Sequence, residues 1–150
     1  MGHRPRIVEL TIPSEYGYEK LAMRLAGSVA EEMGFTPDRV QDLQTAVAEA
    51  CLNAIEHGNR LEADTQVLIL LSIEPDRLAI DVRDEGRGGP PPSEVPEPDI
   101  EQQVAGLMPT RRLGMYLIKH LVDEAGFVEP EMGGGNLFRM VIHLQRNRES

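Results

Sequence analysis

The segment from Thr36 to Gly58 constrains the fold more than any other part of this chain. Thr36-Pro37 opens it with proline in a first helical turn, and Gly58-Asn59 closes it. Between these signals Val40, Leu43, Val47, Cys51 and Ala54 recur at helical spacing and form one apolar stripe. Such a stripe must lie against a second layer of structure. Glu49, Asn53 and His57 follow one another at four-residue spacing on a different face. A carboxylate and a carboxamide one turn apart can work together. The carboxylate can orient or deprotonate a nucleophile, and the amide oxygen can ligate a hard cation such as Mg²⁺. On spacing alone the same residues also fit a solvated polar face.

The flanking sequence supplies the other elements. Ile7 to Ile12 alternates and meets Pro13, which predicts a first strand. Tyr18 to Met33 carries Leu21, Leu25, Val29 and Met33 at helical spacing, with Gly34 as its stop. Thr65 to Ile73 and Asp76 to Arg83 predict a strand pair around Glu74-Pro75-Asp76. Pro90, Pro91, Pro92, Pro96 and Pro98 exclude a helix or central strand just beyond it. Gly89 to Pro109 is therefore a long loop within one domain, functional or a disordered insert. Leu113 to Ala125 predicts a third helix, Gly126 to Pro130 a short strand, and Leu137 to Leu144 a last strand after the turn Gly133-Gly134-Gly135. Two helices in succession argue against a doubly wound sheet. The expected class is α+β: a two-layer sandwich with a mostly antiparallel mixed sheet and three helices on one face.

One hundred and fifty residues suit a single domain spanning 1–150. The single cysteine, Cys51, lies on the apolar stripe and reads as a buried structural thiol in a reducing cytoplasm. No apolar run approaches the roughly 20 residues of a membrane span, and Met1 to Arg6 lacks the apolar stretch of a secretory signal. The net charge of −10 argues against a generic nucleic-acid binder, and 4% aromatics leave few stacking platforms for bases. An acidic domain of this kind suits contact with other proteins.

A second motif sharpens the picture. Leu78, Ile80 and Val82 alternate along a strand that breaks into Asp84-x-Gly86-x-Gly88. The glycines permit positive φ and close approach of the backbone to a ligand, which Asp84 could hold by a donor group. Taken in order, Glu49-x-x-x-Asn53, Asp84-x-Gly86-x-Gly88 and Gly114 opening a helix are similar to the ATPase fold shared by gyrase, the Hsp90 chaperone, histidine kinases and a mismatch-repair protein. Within that superfamily the phrase Glu49-Ala-Cys-Leu-Asn-Ala-Ile-Glu-His57 resembles the anti-sigma-factor serine kinases of bacterial stress and sporulation pathways. The resemblance runs from about Ile7 to about Leu144.

The resemblance implies a role for each matching position. Glu49 would be the general base toward the attacking hydroxyl, and Asn53 would give its oxygen to Mg²⁺ bridging the phosphates of ATP or ADP. His57 would face the phosphates, or else cap the end of its helix. Asp84 would accept from the adenine amino group, with Gly86 and Gly88 against base and sugar. Thr110, Arg111, Arg112 and Gly114 would offer backbone N–H groups and positive charge to the phosphates at a helix start. The loop from about 89 to 112 would be the lid. Two positions depart from the family pattern: Arg112 stands where a glycine is usual, and Asn136 follows Gly135 where the family has threonine, although it can still hydrogen-bond near the base.

The function so implied is an anti-sigma factor and ATP-dependent protein serine kinase. It would sequester a sigma factor and phosphorylate a small STAS-type antagonist, as a homodimer in the cytoplasm, without direct contact with nucleic acid or membrane. Two alternatives belong to other classes. One is a catalytically weak module of the same fold acting by partner sequestration alone. The other is an isolated histidine-kinase ATPase domain, for which no phospho-accepting helix hairpin is expected ahead of the first strand.

Overall fold

The computed structural model describes residues 6–90, 110–130 and 134–144. Its elements are β1 (Arg6–Pro13), α1 (Glu19–Met33), α2 (Pro37–Asn53) continued by a π turn (Ala54–Gly58), β2 (Gln66–Glu74), β3 (Arg77–Arg83), α3 (Thr110–Leu121), β4 (Glu124–Val128) and β5 (Leu137–His143). The strands form one five-stranded sheet in the order β1-β2-β3-β5-β4. Every pairing in it is antiparallel.

Alternation along the strands decides which face is covered. Val67, Ile69 and Leu71 of β2, Leu78, Ile80 and Val82 of β3, and Phe138, Met140 and Ile142 of β5 are buried in one core. The registers place Ile69 beside Val82 and Ile80 beside Met140, so these side chains stand on the same face. The helices supply the other half of that core through Ala22, Ala26 and Ala30 of α1, Leu43, Val47 and Cys51 of α2, and Met115 and Ile118 of α3. Small residues let α1 and α2 approach closely. A methyl group at Gly27 would overlap the side chain of Gln44, whose amide instead donates to the Met23 carbonyl at 3.3 Å. The expected two-layer α+β sandwich with three helices is what the chain forms.

Most boundaries follow local signals. Gly34 ends α1 in the left-handed conformation at φ 97°. Thr36 caps α2, its hydroxyl accepting from the Arg39 N–H at 3.4 Å. Several ends differ from expectation, and α3 begins at Thr110, three residues before the expected Leu113. The third helix stops at Leu121, and Glu124 and Ala125 join β4 beside Val141 and Met140 of β5. Asp123 breaks the helix there: its carboxylate accepts from Arg39 at 2.7 Å and from the His143 N–H at 2.7 Å. The second helix reaches Gly58 as expected, but its last turn widens, with the Asn59 N–H bonded to the Ala54 carbonyl at 2.8 Å.

Cys51 is fully buried, and that burial pushes its thiol up to about 12. A thiol-alkylating reagent should leave the folded protein unmodified and react on unfolding in denaturant. Rapid alkylation of the native protein would contradict this placement.

Candidate active site

The candidate site lies where the C-terminal half of α2, the turn after β3 and the first half of α3 converge. Glu49 and Asn53 stand one turn apart on α2, both half-buried. α3 crosses directly over them. A methyl group at Gly114 would lie 2.7 Å from the Glu49 carboxylate and 3.7 Å from the Asn53 amide nitrogen. Gly114 is therefore in the second turn of its helix, not at the start, and its missing side chain makes room for Glu49. Desolvation is the larger cause raising the Glu49 pKa above the usual carboxylate range, and the charge of Glu56 adds to it. A carboxylate so raised is a better proton acceptor near neutral pH than an ordinary surface glutamate.

The amide of Asn53 donates to the sulfur of Met115 at 3.4 Å. That contact turns its nitrogen toward α3 and leaves its oxygen as the group to present to a cation. Among the described residues no group of three or more His, Cys, Asp or Glu is placed to hold a metal ion. One amide oxygen beside one carboxylate fits Mg²⁺, which keeps several waters and takes its other ligands from phosphates. A preassembled cage is not needed.

Asp84 is almost fully buried at 7% exposure. Its Oδ1 accepts from the Gly86 N–H at 2.7 Å and from the backbone and side chain of Asn136, both at 3.1 Å. The Asn136 amide also donates to the Gly89 carbonyl at 3.1 Å. Both acceptors fix its orientation, so Asn136 holds the aspartate and its turn in place. Oδ2 faces Gly58, where a methyl group would overlap the carboxylate. Asp84 lines a narrow cavity with Ala50, Asn53, Ala54, Val82, Met115, Phe127 and Phe138, about 10 Å³ in volume. That is room for one water. A purine would enter only with movement of a wall, and Met115 on α3 is the flexible one.

The glycines of this turn act through contact. Gly86 has φ 74°, and a methyl on it would press on Gly135 at 3.1 Å. Gly88 donates its N–H to the Gly58 carbonyl at 2.9 Å, and a methyl there would overlap the carbonyl of His57. His57 itself lies within the π turn, which rotates it off the line of Glu49 and Asn53 that the four-residue spacing predicts. Arg87 is exposed and pairs with Glu62 at 3.4 Å and Asp64 at 3.3 Å.

The structure thus brings Glu49, Asn53, Asp84, Gly86, Gly88, Gly114 and Asn136 to one place. Thr110 is the first residue of α3; the side chains of Thr110, Arg111 and Arg112, and nearly all of the expected lid, lie outside the described residues. Sequence reasoning passed over Gly58 and Met115. The glycine had a signal, since it follows directly on His57 at the helix end. Met115 reads as core, and its contact with Asn53 spans 62 positions.

Comparison with known proteins bears on this geometry. Residues 12–142 match the model of the histidine kinase-like ATPase domain. The chain is 32% identical over 127 residues to the serine-protein kinase RsbW of Bacillus subtilis, covering 78% of this chain and 74% of that protein. It is 30% identical over 151 residues to the RsbW of Bacillus velezensis, covering 94% and 88%. A crystal structure of the RsbU and RsbW domains of a Mycobacterium tuberculosis protein superposes with a TM-score of 0.64 at 16% identity, over 93% of this chain and 32% of that one. This last likeness bears on the fold alone.

Proposed function

The chain belongs to the histidine kinase-like ATPase domain family, and from that premise we propose that it is an ATP-dependent protein serine kinase and anti-sigma factor. The observation that carries the reading is the meeting of Asn53 and Asp84 on one narrow cavity, with Glu49 one turn from Asn53 and packed beside it under Gly114, in a chain similar over most of its length to serine-protein kinases. Residues 1–150 act as one domain, with the segment of about 89–112 as its lid.

In this reading Asp84 accepts a hydrogen bond from the adenine amino group, while Gly86, Gly88 and Asn136 keep the carboxylate and its turn in register. Asn53 holds Mg²⁺, which when bound offsets the charge of the phosphates. The first N–H groups of α3, with Thr110, Arg111 and Arg112, receive the phosphates. Glu49 takes the proton from a serine hydroxyl of the substrate protein as its oxygen bonds to the terminal phosphorus and the bond to ADP breaks. Phosphoryl transfer asks for positioning and charge more than covalent help, which suits so sparse a site. His57 caps the C-terminal end of α2, beside the turn that carries Asp84.

The substrate is a small STAS-type antagonist, and its phosphorylation frees it and leaves the kinase to hold a sigma factor. The protein acts as a homodimer in the cytoplasm. No described helix is long and apolar enough to cross a membrane. Lys20 and Arg24, both exposed on α1, contact an acidic patch of a partner. Sigma factor and antagonist should compete in pull-downs, and Arg24→Glu should lower the association rate together with its salt dependence. If no sigma factor or antagonist of the source cell is captured, with or without nucleotide, the partner assignment fails even where ATP binding stands. A second reading, a module acting by partner contact alone, is favoured by the small cavity; it predicts partner capture without phosphate transfer.

A further inference from the structure

Asn59 is fully buried, and its amide serves three segments at once. Its nitrogen donates to the Ser14 hydroxyl at 2.9 Å and to the Gln66 carbonyl at 2.9 Å. Its oxygen accepts from the backbone N–H of Glu85 at 2.6 Å. Glu85 follows Asp84 directly and returns a bond of its own, its carboxylate accepting from the Gln66 N–H at 2.6 Å.

The turn that carries Asp84 is thereby held at three successive N–H groups. That of Asp84 donates to the Asn136 carbonyl at 3.0 Å, that of Glu85 to Asn59 at 2.6 Å, and that of Gly86 back to Asp84 at 2.7 Å. The wide turn at the end of α2 puts Asn59 in reach. A second sign of constraint lies beside it: Arg60 and Leu61, neither a glycine, both adopt left-handed conformations at φ 53° and 56°. Such conformations persist where surroundings over-determine them. The Leu61 N–H bonds to the Ile55 carbonyl at 2.9 Å, which secures the reversal.

We propose that Asn59 is a positioning residue for purine recognition, fixing the Asp84 carboxylate through the Glu85 amide. This rests on the reading of Asp84 as the group that meets the 6-amino edge of the base. Asn59 touches no nucleotide; it acts on the direction in which Asp84 points. The Ser14 and Gln66 bonds belong to the junction of β1 and β2, so Asn59 joins that junction to the nucleotide site.

The test separates the two arms. Calorimetric affinities would be measured for ATP and for the triphosphate of purine riboside, which lacks the 6-amino group. The wild-type protein should prefer ATP. Asn59→Ala should cut that preference about tenfold, the worth of a hydrogen bond to a charged group that is no longer aligned. Ser14→Ala, which removes the arm to β1 and the bond from the Thr65 hydroxyl but leaves the bond to Glu85, should lower the melting temperature and leave the preference unchanged. If Asn59→Ala does not fold, Asn59→Ser carries the same comparison, its hydroxyl being too short to reach Glu85. Asp84→Asn is the reference. Should it lose the preference while both Asn59 variants keep it, or should Ser14→Ala lose as much as Asn59→Ala, the Asn59 proposal is overturned alone. Should Asp84→Asn itself keep the preference, the reading of Asp84 fails first and the proposal with it.

Discussion

Glu49→Gln should lower phosphate transfer to a protein serine by about 10²–10⁴-fold, the usual worth of a general base, while ATP affinity stays nearly unchanged. Glutamine keeps the shape that packs beneath Gly114, where a methyl would sit 2.7 Å from the carboxylate. It cannot take a proton. A stability signature should accompany the loss. Burial and the charge of Glu56 raise the folded pKa of Glu49, so the folded state holds this proton more tightly than the unfolded chain. Ionised Glu49 therefore costs stability. The cost is absent below the unfolded pKa, builds as pH rises toward the raised folded pKa, and is complete above it. Glu49→Gln should melt higher than wild type near neutral pH, and the advantage should vanish below the ordinary carboxylate range. Stopped-flow transfer and melting curves at the two pH values check both halves. Equal loss of binding and transfer would mean that Glu49 shapes the site and is not its base.

Asp84→Asn should weaken ATP and ADP binding by about 1.5–3 kcal/mol, roughly 10–150-fold. The Oδ1 position must remain an acceptor, because Gly86 and both groups of Asn136 donate to it. The substituted amide therefore presents its NH₂ at the Oδ2 position, donor against the donor of the adenine amino group. Asn53→Ala should weaken nucleotide binding only in the presence of Mg²⁺, which separates the two residues. Titration calorimetry reads both, and undiminished affinity in Asp84→Asn would displace adenine from this turn.

How much of this was legible in the sequence depends on range. Alternation in Leu78, Ile80 and Val82, the proline and threonine before α2, and the glycine after α1 act locally, so the element order could be read directly. The end of α2 could not. Ala54-Ile55-Glu56-His57 is ordinary helical sequence, and its widened turn coincides with contacts from Gly58 and Asn59 to a turn some 26 positions away. Local propensity likewise favours helix at Ala125, but pairing with Met140 draws it into β4. Glu49, Asn53 and Asp84 were recognisable as a set because their order resembles that of a known ATPase fold; on spacing alone Glu49 and Asn53 also fitted a solvated polar face. The part played by Gly114 was legible only in kind: a glycine was required, but to admit the Glu49 carboxylate. Asn136 looked like a departure near the base, and the structure makes it a clamp on Asp84.

The proposed function turns on whether this site moves the terminal phosphate of ATP to a protein serine. The direct measurement is incubation of the protein with terminally labelled ATP, Mg²⁺ and the antagonist proteins of its source cell. Wild type should label a single serine of one antagonist, and Glu49→Gln should label none. Tight ATP binding with no label on any antagonist, or equal labelling by Glu49→Gln, would contradict it.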